Sequence, residues 1–226
     1  LPLRGFLPGD YQVRLTAKDS DGITAETTLP VTIKPKAVPT GGEVALDGRC
    51  FDPAYAADGG RLVLRYEGGL LAEAAMARVE DYVYVCLSGL PLHQGKEAVE
   101  LRIDPDASGD DFMQPSDHFF RIDRDGVIDS GVGDGGGGDV PDTEARDVLG
   151  VVTEGGTSWQ AELRVRESLL GELVRLGVRH RFNGDEAVGW PEALDEYSPE
   201  TWGLVSMPTP IFSDGFESGD TSAWGP

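Results

Sequence analysis

Short runs of alternating apolar and polar residues, separated by turns rich in Gly, Pro and Asp, recur along most of the chain. Between residues 43 and 123 these runs follow one another at spacings near a dozen residues. Alternation buries one face of a β-strand, whereas a helix needs apolar residues three and four positions apart. Residues 70–79, which contain several alanines, also suit a short helix. The sequence therefore predicts an all-β protein built from β-sandwich units.

Charge and motifs exclude several functional classes. The 226 residues carry a formal net charge of −21, which would repel a nucleic-acid backbone, and no apolar run is long enough to span a membrane. The chain contains no Gly-x-Ser-x-Gly, His-Glu-x-x-His or P-loop motif, and no Gly-x-Gly-x-x-Gly between a predicted strand and a predicted helix. Its histidines, His93, His118 and His180, lie on or beside predicted strands in no catalytic pattern. We therefore expect a non-enzymatic chain with no catalytic residues and no nucleic-acid partner.

Residues 1–36 predict a β-hairpin. Alternating residues flank a turn at Asp19-Ser20-Asp21-Gly22, where the glycine allows a positive φ and the aspartates can accept turn N–H groups. Within residues 1–35, the run 7–22 and the strand ending at 31–33 resemble the last two strands of PKD-type and related Ig-like domains of exported bacterial proteins. The resemblance implies the C-terminal hairpin of a sandwich whose earlier strands precede this fragment.

Composition divides the rest of the chain into four parts. Residues 37–123 predict an Ig-like β-sandwich. Residues 124–147 are dominated by Gly and Asp and predict a flexible acidic linker. Alternation returns over 148–207, which predicts a small β-rich unit with a hairpin turn near 168–172. The expected architecture is therefore Ig-like or PKD-like sandwich units in tandem, joined by a Gly/Asp-rich linker and followed by a tail.

That tail occupies residues 208–226. Its run Ile-Phe-Ser-Asp-Gly-Phe-Glu-Ser-Gly-Asp-Thr-Ser-Ala-Trp, residues 211–224, resembles a short segment that closes many otherwise unrelated exported proteins of Gram-negative bacteria. The resemblance implies the C-terminal region of a secreted protein, located outside the cell or at its surface.

Cys50 and Cys86 are the two cysteines of the chain, and both lie in predicted strands of the same unit. A single disulfide between them is the natural arrangement for an exported protein. Closing a loop of this size stabilises a fold by about 4 kcal/mol in the chain-entropy model. The alternative is two buried free thiols.

Two acidic loops have the spacing of calcium ligands, which are oxygen atoms at alternate positions around a glycine. The candidate ligands are Asp104, Asp106, Ser108 and Asp110 in the first loop and Asp123, Asp125 and Asp129 in the second. The second loop resembles EF-hand and dockerin loops. Pro115 replaces the terminal Glu of the first loop, and Arg121 and Val132 replace the terminal ligands of the second. Calcium is thus the cofactor to consider, and solvated acidic turns are the alternative.

Aromatic residues supply a further hypothesis, because carbohydrate-binding sandwiches stack sugars on exposed rings. The candidates are Tyr82, Tyr84, Trp159, Trp190 and Trp202. The alternative is core filling, which the sequence favours for Tyr82 and Tyr84.

These observations predict a non-catalytic spacer, adhesion or ligand-contact region of an exported protein, with a protein or carbohydrate partner at the cell surface. One alternative is the accessory C-terminal region of a secreted protease or glycosidase whose catalytic domain lies upstream. Another is a calcium-stabilised stalk.

Overall fold

The computed structural model describes residues 8–142, 148–184 and 186–207. Its first element is the hairpin of β1 (Gly9–Lys18) and β2 (Thr24–Ile33), whose antiparallel register runs from Gly9–Ile33 to Lys18–Thr24. The carboxylate of Asp19 accepts the N–H groups of Asp21 and Ile23 at 3.0 and 2.8 Å. Those bonds close the turn, so the predicted hairpin is confirmed. Most of its side chains are exposed.

Thirteen further strands follow among the described residues. In chain order they are β3 (Lys36–Ala37), β4 (Arg61–Arg65), β5 (Leu71–Val79), β6 (Tyr82–Pro91), β7 (Ala98–Asp104), β8 (His118–Asp123), β9 (Ile128–Gly133), β10 (Asp139–Pro141), β11 (Val148–Glu154), β12 (Ser158–Arg166), β13 (Leu173–Phe182), β14 (Glu186–Trp190) and β15 (Gly203–Ser206). Short 3-10 turns connect some of them, at Pro53–Ala56, Asp58–Gly60, Glu67–Gly69, Glu167–Leu169 and Pro199–Thr201. The predicted all-β class is confirmed, and residues 71–79 form a strand rather than a helix.

These strands form two sheets. The small sheet has the antiparallel order β11-β12-β6-β5-β4. The large sheet has the order β10-β9-β8-β7-β13 and ends with β14 and β15, which pair with successive parts of the free edge of β13. Strand β3 joins β15 in parallel and completes the large sheet.

The hydrophobic core lies between the two sheets. Trp159 and Leu163 point inward from β12, and Leu101, Phe120 and Val178 point inward from the large sheet; all five are fully buried. Because successive residues of a strand face opposite sides, this apolar set directs the intervening charged residues of β7 and β13 to the outer face of the large sheet. The result is a two-layer β-sandwich.

The outer face of the small sheet is covered by the segment 41–57. The predicted disulfide between Cys50 and Cys86 is present, with a Cα–Cα distance of 5.5 Å, and it fixes this segment to β6. Glu162 of β12 provides a second attachment, since its buried carboxylate accepts the hydroxyl of Tyr55 at 2.6 Å and the N–H of Gly48 at 3.0 Å. This face is therefore occupied by the protein itself.

The predicted linker differs from the structure. Residues 128–133 and 139–141 are β9 and β10, and β9 pairs with β8 from Ile128 to Val132. The glycine run between them is a tight turn, in which Asp134 accepts the N–H groups of Gly136 and Gly138 at 2.7 and 3.0 Å. Gly and Asp here shape a turn rather than a spacer.

The predicted tandem units differ as well. Strands β12 and β13 do not form the expected hairpin: β12 pairs with β6 in the small sheet, and β13 pairs with β7 in the large one. Strands from 37–123 and from 148–207 therefore contribute to one sandwich. The tail at 208–226 lies outside the described residues. No helix within the described ranges is long and apolar enough to cross a membrane.

Candidate ligand-binding site

A line of alternating charges crosses the outer face of the large sheet. The registers of four adjacent strands place Asp129, Arg121, Glu100 and Arg179 side by side. Arg121 is paired with Asp129, and Glu100 lies 3.6 Å from Arg179 and 3.1 Å from Arg181. Glu100 is only 1% exposed. The line therefore holds guanidinium and carboxylate groups in fixed alternation.

Arg102 lies beside this line and is 2% exposed. Its guanidinium is 5.1 Å from the ring centroid of Phe119 and 5.3 Å from that of Tyr197. It also lies 3.4 Å from Asp139 and 3.5 Å from Glu196. Two aromatic rings and two carboxylates thus hold a buried cation in place.

A cavity of about 180 Å³ opens above these groups. It is lined by Glu100, Arg102, Phe119, Arg121, Asp129, Asp139, Pro141, Arg181 and Tyr197. Strands β7, β8, β9, β10 and β13 form the floor and one wall, and the segment 191–202 contributes Tyr197 as the facing wall. Burial and the nearby carboxylates of Glu196 and Asp139 raise the pKa of Tyr197, so its phenol stays protonated and able to donate a hydrogen bond.

Two glycines give the cavity its shape. A Cβ at Gly131 would lie 2.2 Å from the ring of Phe119, and one at Gly177 would lie 2.5 Å from Leu194. Without side chains at these positions, Phe119 lies across β9 and the 191–202 segment packs onto β13. The glycine-rich composition that predicts a linker therefore contributes to the candidate site.

The arrangement presents donors and acceptors in alternation beside an aromatic ring. Guanidinium groups donate and ionised carboxylates accept, and the Tyr197 ring offers an apolar face. A polyhydroxylated ligand both donates and accepts hydrogen bonds and has an apolar face of C–H groups. The cavity is chemically suited to such a ligand.

The aromatic residues singled out from the sequence do not share a face. Trp159 and Trp202 are buried, and their indole N–H groups donate to Glu97 at 3.1 Å and to the Asp195 carbonyl at 2.7 Å. Trp190 is half-buried against Gly203. The remaining two, Tyr82 and Tyr84, lie on the outer face of the small sheet, where Tyr84 is buried and the Tyr82 ring is 4.1 Å from Arg164.

The first acidic loop is folded around its own side chains. Asp104, at the buried end of β7, accepts the N–H of Gly109 at 2.9 Å, and the hydroxyl of Ser108 lies 3.4 Å from Asp104 and 3.0 Å from Asp110. Asp106 accepts the N–H of Ser108 at 3.1 Å. The four predicted ligands of this loop are therefore close to one another.

The second acidic loop is not arranged in this way. Asp123 accepts the N–H of Val127 at 2.8 Å and closes the β8–β9 turn, while Asp129 is on β9 and pairs with Arg121. Asp125 is exposed in the turn between them. No three Asp, Glu, His or Cys side chains in the described parts of the chain form a ready-made metal site.

A polar chain crosses the hydrophobic core. His180 lies 2.8 Å from the hydroxyl of Tyr66 through Nδ1 and 3.1 Å from Glu97 through Nε2. Burial, followed by the neighbouring His93, lowers the pKa of His180 to about 3. The ring is therefore neutral and links β13 to two other segments. His93 itself stacks on Phe182 with centroids 4.0 Å apart.

Of the residues that line the cavity, Asp129 alone was singled out from the sequence, and as a calcium ligand. The signal was present, because Glu100, Arg102 and Asp104 alternate with apolar residues, as do Arg179 and Arg181. This alternating pattern does not predict which strands are neighbours in the sheet. Tyr197 lies in a connecting segment with no periodicity to mark it.

The strands form an all-β sandwich, and the comparisons give it relatives in structure. No family model matches the sequence, and no curated protein matches it. A family 9 carbohydrate-binding module from Caldicellulosiruptor kristjanssonii, solved with cellotriose, gives a TM-score of 0.58 at 12% identity, covering 79% of this chain and 96% of that one. Its glucose complex gives 0.57, covering 78% and 98% at the same identity. A protein from Bacteroides uniformis named as carbohydrate-binding gives 0.54 at 12% identity, covering 76% and 98%. At such identities the likeness establishes a shared sandwich fold.

Proposed function

We propose that this chain is a non-catalytic carbohydrate-binding module and that its sugar site is the cavity beside Arg102 and Tyr197. The observation that carries the proposal is the fixed alternation of guanidinium and carboxylate groups next to the Tyr197 ring. Both kinds of hydrogen-bonding group and an apolar face are what a sugar ring requires. The fold likeness to modules solved with glucose and cellotriose supports the same conclusion.

The size of the cavity favours one sugar unit. Its volume of about 180 Å³ is below the roughly 300–1,000 Å³ of pockets that enclose drug-sized ligands. We therefore expect a monosaccharide, or one unit of a longer chain, to enter it while the remaining units extend into solvent.

The charged groups that line the cavity suit the binding of a polar ligand. Glu100, Asp129 and Asp139, the carboxylates that line the cavity, are each paired with an arginine. Each pair places guanidinium N–H donors beside carboxylate oxygen acceptors. Of these three, Asp129 and Asp139 are exposed enough to accept hydrogen bonds from sugar hydroxyls.

We place the module outside the cytoplasm, since the disulfide between Cys50 and Cys86 forms and persists in oxidising compartments. There it would act as the ligand-contact part of a surface protein, in spacing or adhesion, or as the accessory region of a secreted hydrolase. Both settings use the same sugar-binding step.

Calorimetric titration with glucose, cellotriose and a panel of soluble polysaccharides tests the proposal. Tyr197→Ala should weaken binding about tenfold, which corresponds to the loss of one aromatic contact. The matched control is Tyr82→Ala, because Tyr82 also lies beside an arginine but on the outer face of the small sheet. Unchanged binding in Tyr197→Ala, or equal losses in both variants, would show that the cavity is not the site.

A further inference from the structure

The segment 112–114 borders the cavity where it crosses the outer face of the large sheet. A Cβ at Gly133 of β9 would lie 2.4 Å from the carbonyl of Met113, so the crossing depends on the absence of a side chain there. The N–H of Met113 donates to the carbonyl of Tyr197 at 3.0 Å, and its sulfur lies 3.2 Å from Nη1 of Arg102. The segment therefore contacts both residues that define the proposed sugar site.

Phe112 is the exposed apolar residue of this segment. It is 50% exposed, whereas the Met113 that follows it is fully buried. A Cβ at Gly137 would lie 3.2 Å from Cδ1 of Phe112, so the ring packs on the glycine turn between β9 and β10. Asp139, two residues beyond that glycine, lines the cavity and lies 3.4 Å from Arg102. These contacts place an exposed aromatic ring at the rim of the cavity.

The backbone around Phe112 is held in place. Its carbonyl accepts the side-chain amide of Gln114 at 2.9 Å, and the carbonyl of Met113 accepts the N–H of Gly135 at 3.0 Å. A ring on an anchored segment loses little conformational freedom when a ligand covers it. Single exposed apolar residues are common on protein surfaces, so the position of Phe112 beside the cavity is what distinguishes it.

We propose that Phe112 is a second contact for the ligand, on whose ring the sugar unit next to the one in the cavity stacks. This inference rests on the proposed function, and it makes the ligand an oligosaccharide or polysaccharide rather than a free monosaccharide. The cavity, at about 180 Å³, has room for one unit, so the adjoining unit lies at the rim. Its C–H face would cover the Phe112 ring while its other face stays in water.

Calorimetric titration of the full 226-residue chain with glucose and with cellotriose tests this second contact. The parent should bind cellotriose about tenfold more tightly than glucose, because only the longer ligand reaches Phe112. Phe112→Ala should remove that difference and leave glucose binding unchanged, whereas Phe112→Trp should keep the difference because an indole also offers an apolar face. Phe51→Ala is the matched control: it removes a ring that is 81% exposed in the segment 41–57, away from the cavity, and should bind both sugars like the parent.

The possible failures are distinguishable. A parent that binds neither sugar would overturn the proposed function and this inference with it. A parent that binds both sugars equally tightly, or a Phe112→Ala variant that keeps the preference for cellotriose, would overturn the second contact alone. Equal weakening for both sugars in Phe112→Ala would show that the ring only supports the cavity wall, which also overturns the inference.

Discussion

The Nε2 of His180 lies 3.1 Å from a carboxylate oxygen of Glu97, and both side chains are fully buried between the two sheets. Glu97 also accepts the indole N–H of Trp159 and is paired with Arg124. The same histidine accepts the hydroxyl of Tyr66 on its other nitrogen when its proton is on Nε2. A neutral histidine thus joins strands of both sheets through hydrogen bonds.

This arrangement predicts a loss of stability in mild acid. Burial lowers the folded-state pKa of His180 to about 3 from the ordinary histidine value of 6.5, so only the unfolded chain takes up a proton as the pH falls below 6.5. The contribution of a neutral His180 is complete above that pH and decreases between pH 6.5 and 3, by about 1.4 kcal/mol per pH unit.

Urea unfolding at pH 7 and pH 5 measures the effect against His180→Gln. Glutamine can donate to Glu97 and accept from Tyr66, but it does not titrate. The parent should lose about 2 kcal/mol more than the variant between these pH values. Equal losses would mean that His180 does not carry the pH dependence.

The disulfide should account for a large part of the stability of the segment 41–57. Reduction opens a loop between Cys50 and Cys86, whose sequence separation is 36 residues, and should lower the free energy of unfolding by about 4 kcal/mol. Because the buried carboxylate of Glu162 holds the N–H groups of Asp47 and Gly48, these two amides should stay partly protected from hydrogen exchange after reduction. Complete loss of their protection would show that Glu162 alone does not hold the segment.

Strand β9 should exchange its amide protons slowly. Its residues pair with β8, and the N–H of Gly133 donates to the Asp117 carbonyl at 3.2 Å. Protection of residues 128–133 should therefore match that of β8. Rapid exchange there would support the flexible linker that the composition predicts.

Gly131 should tolerate no side chain. A Cβ at this position meets the ring of Phe119 and the carbonyl of Val140, so Gly131→Ala should cost about 1–3 kcal/mol and displace a cavity-lining ring. Gly156→Ala is the control, because a Cβ there meets nothing within 4 Å. Equal melting temperatures for the two variants would contradict this account of the cavity wall.

Local features were predictable from the sequence, and long-range pairing was not. Asp19 and Gly22 predicted the β1–β2 turn, and the presence of two cysteines in the same unit predicted the disulfide. The pairing of β12 with β6 joins residues more than 60 positions apart in the sequence. An alternating pattern predicts that a segment is a strand, but it does not predict which other strand pairs with it. For the same reason the charged outer face was visible strand by strand, while the cavity emerged only when β7, β8, β9 and β13 were brought together.

The prediction of a flexible linker from the Gly/Asp-rich composition was wrong, because glycine and aspartate form a turn there. Four consecutive glycines beside Asp134 favour disorder when only their composition is considered. In the structure, the Asp134 carboxylate binds two of their N–H groups and turns β9 into β10. The neighbouring strands supply the burial that composition alone does not reveal.

The central claim, a sugar site on the outer face of the large sheet, is tested most directly by NMR. Titration of the isotope-labelled chain with cellotriose, and with glucose as the single-unit ligand, should shift the amide signals of Arg121, Arg181 and Tyr197. Signals around Tyr82 on the other outer face should stay in place. Shifts confined to the small sheet, or no shift with either sugar at millimolar concentration, would contradict the account.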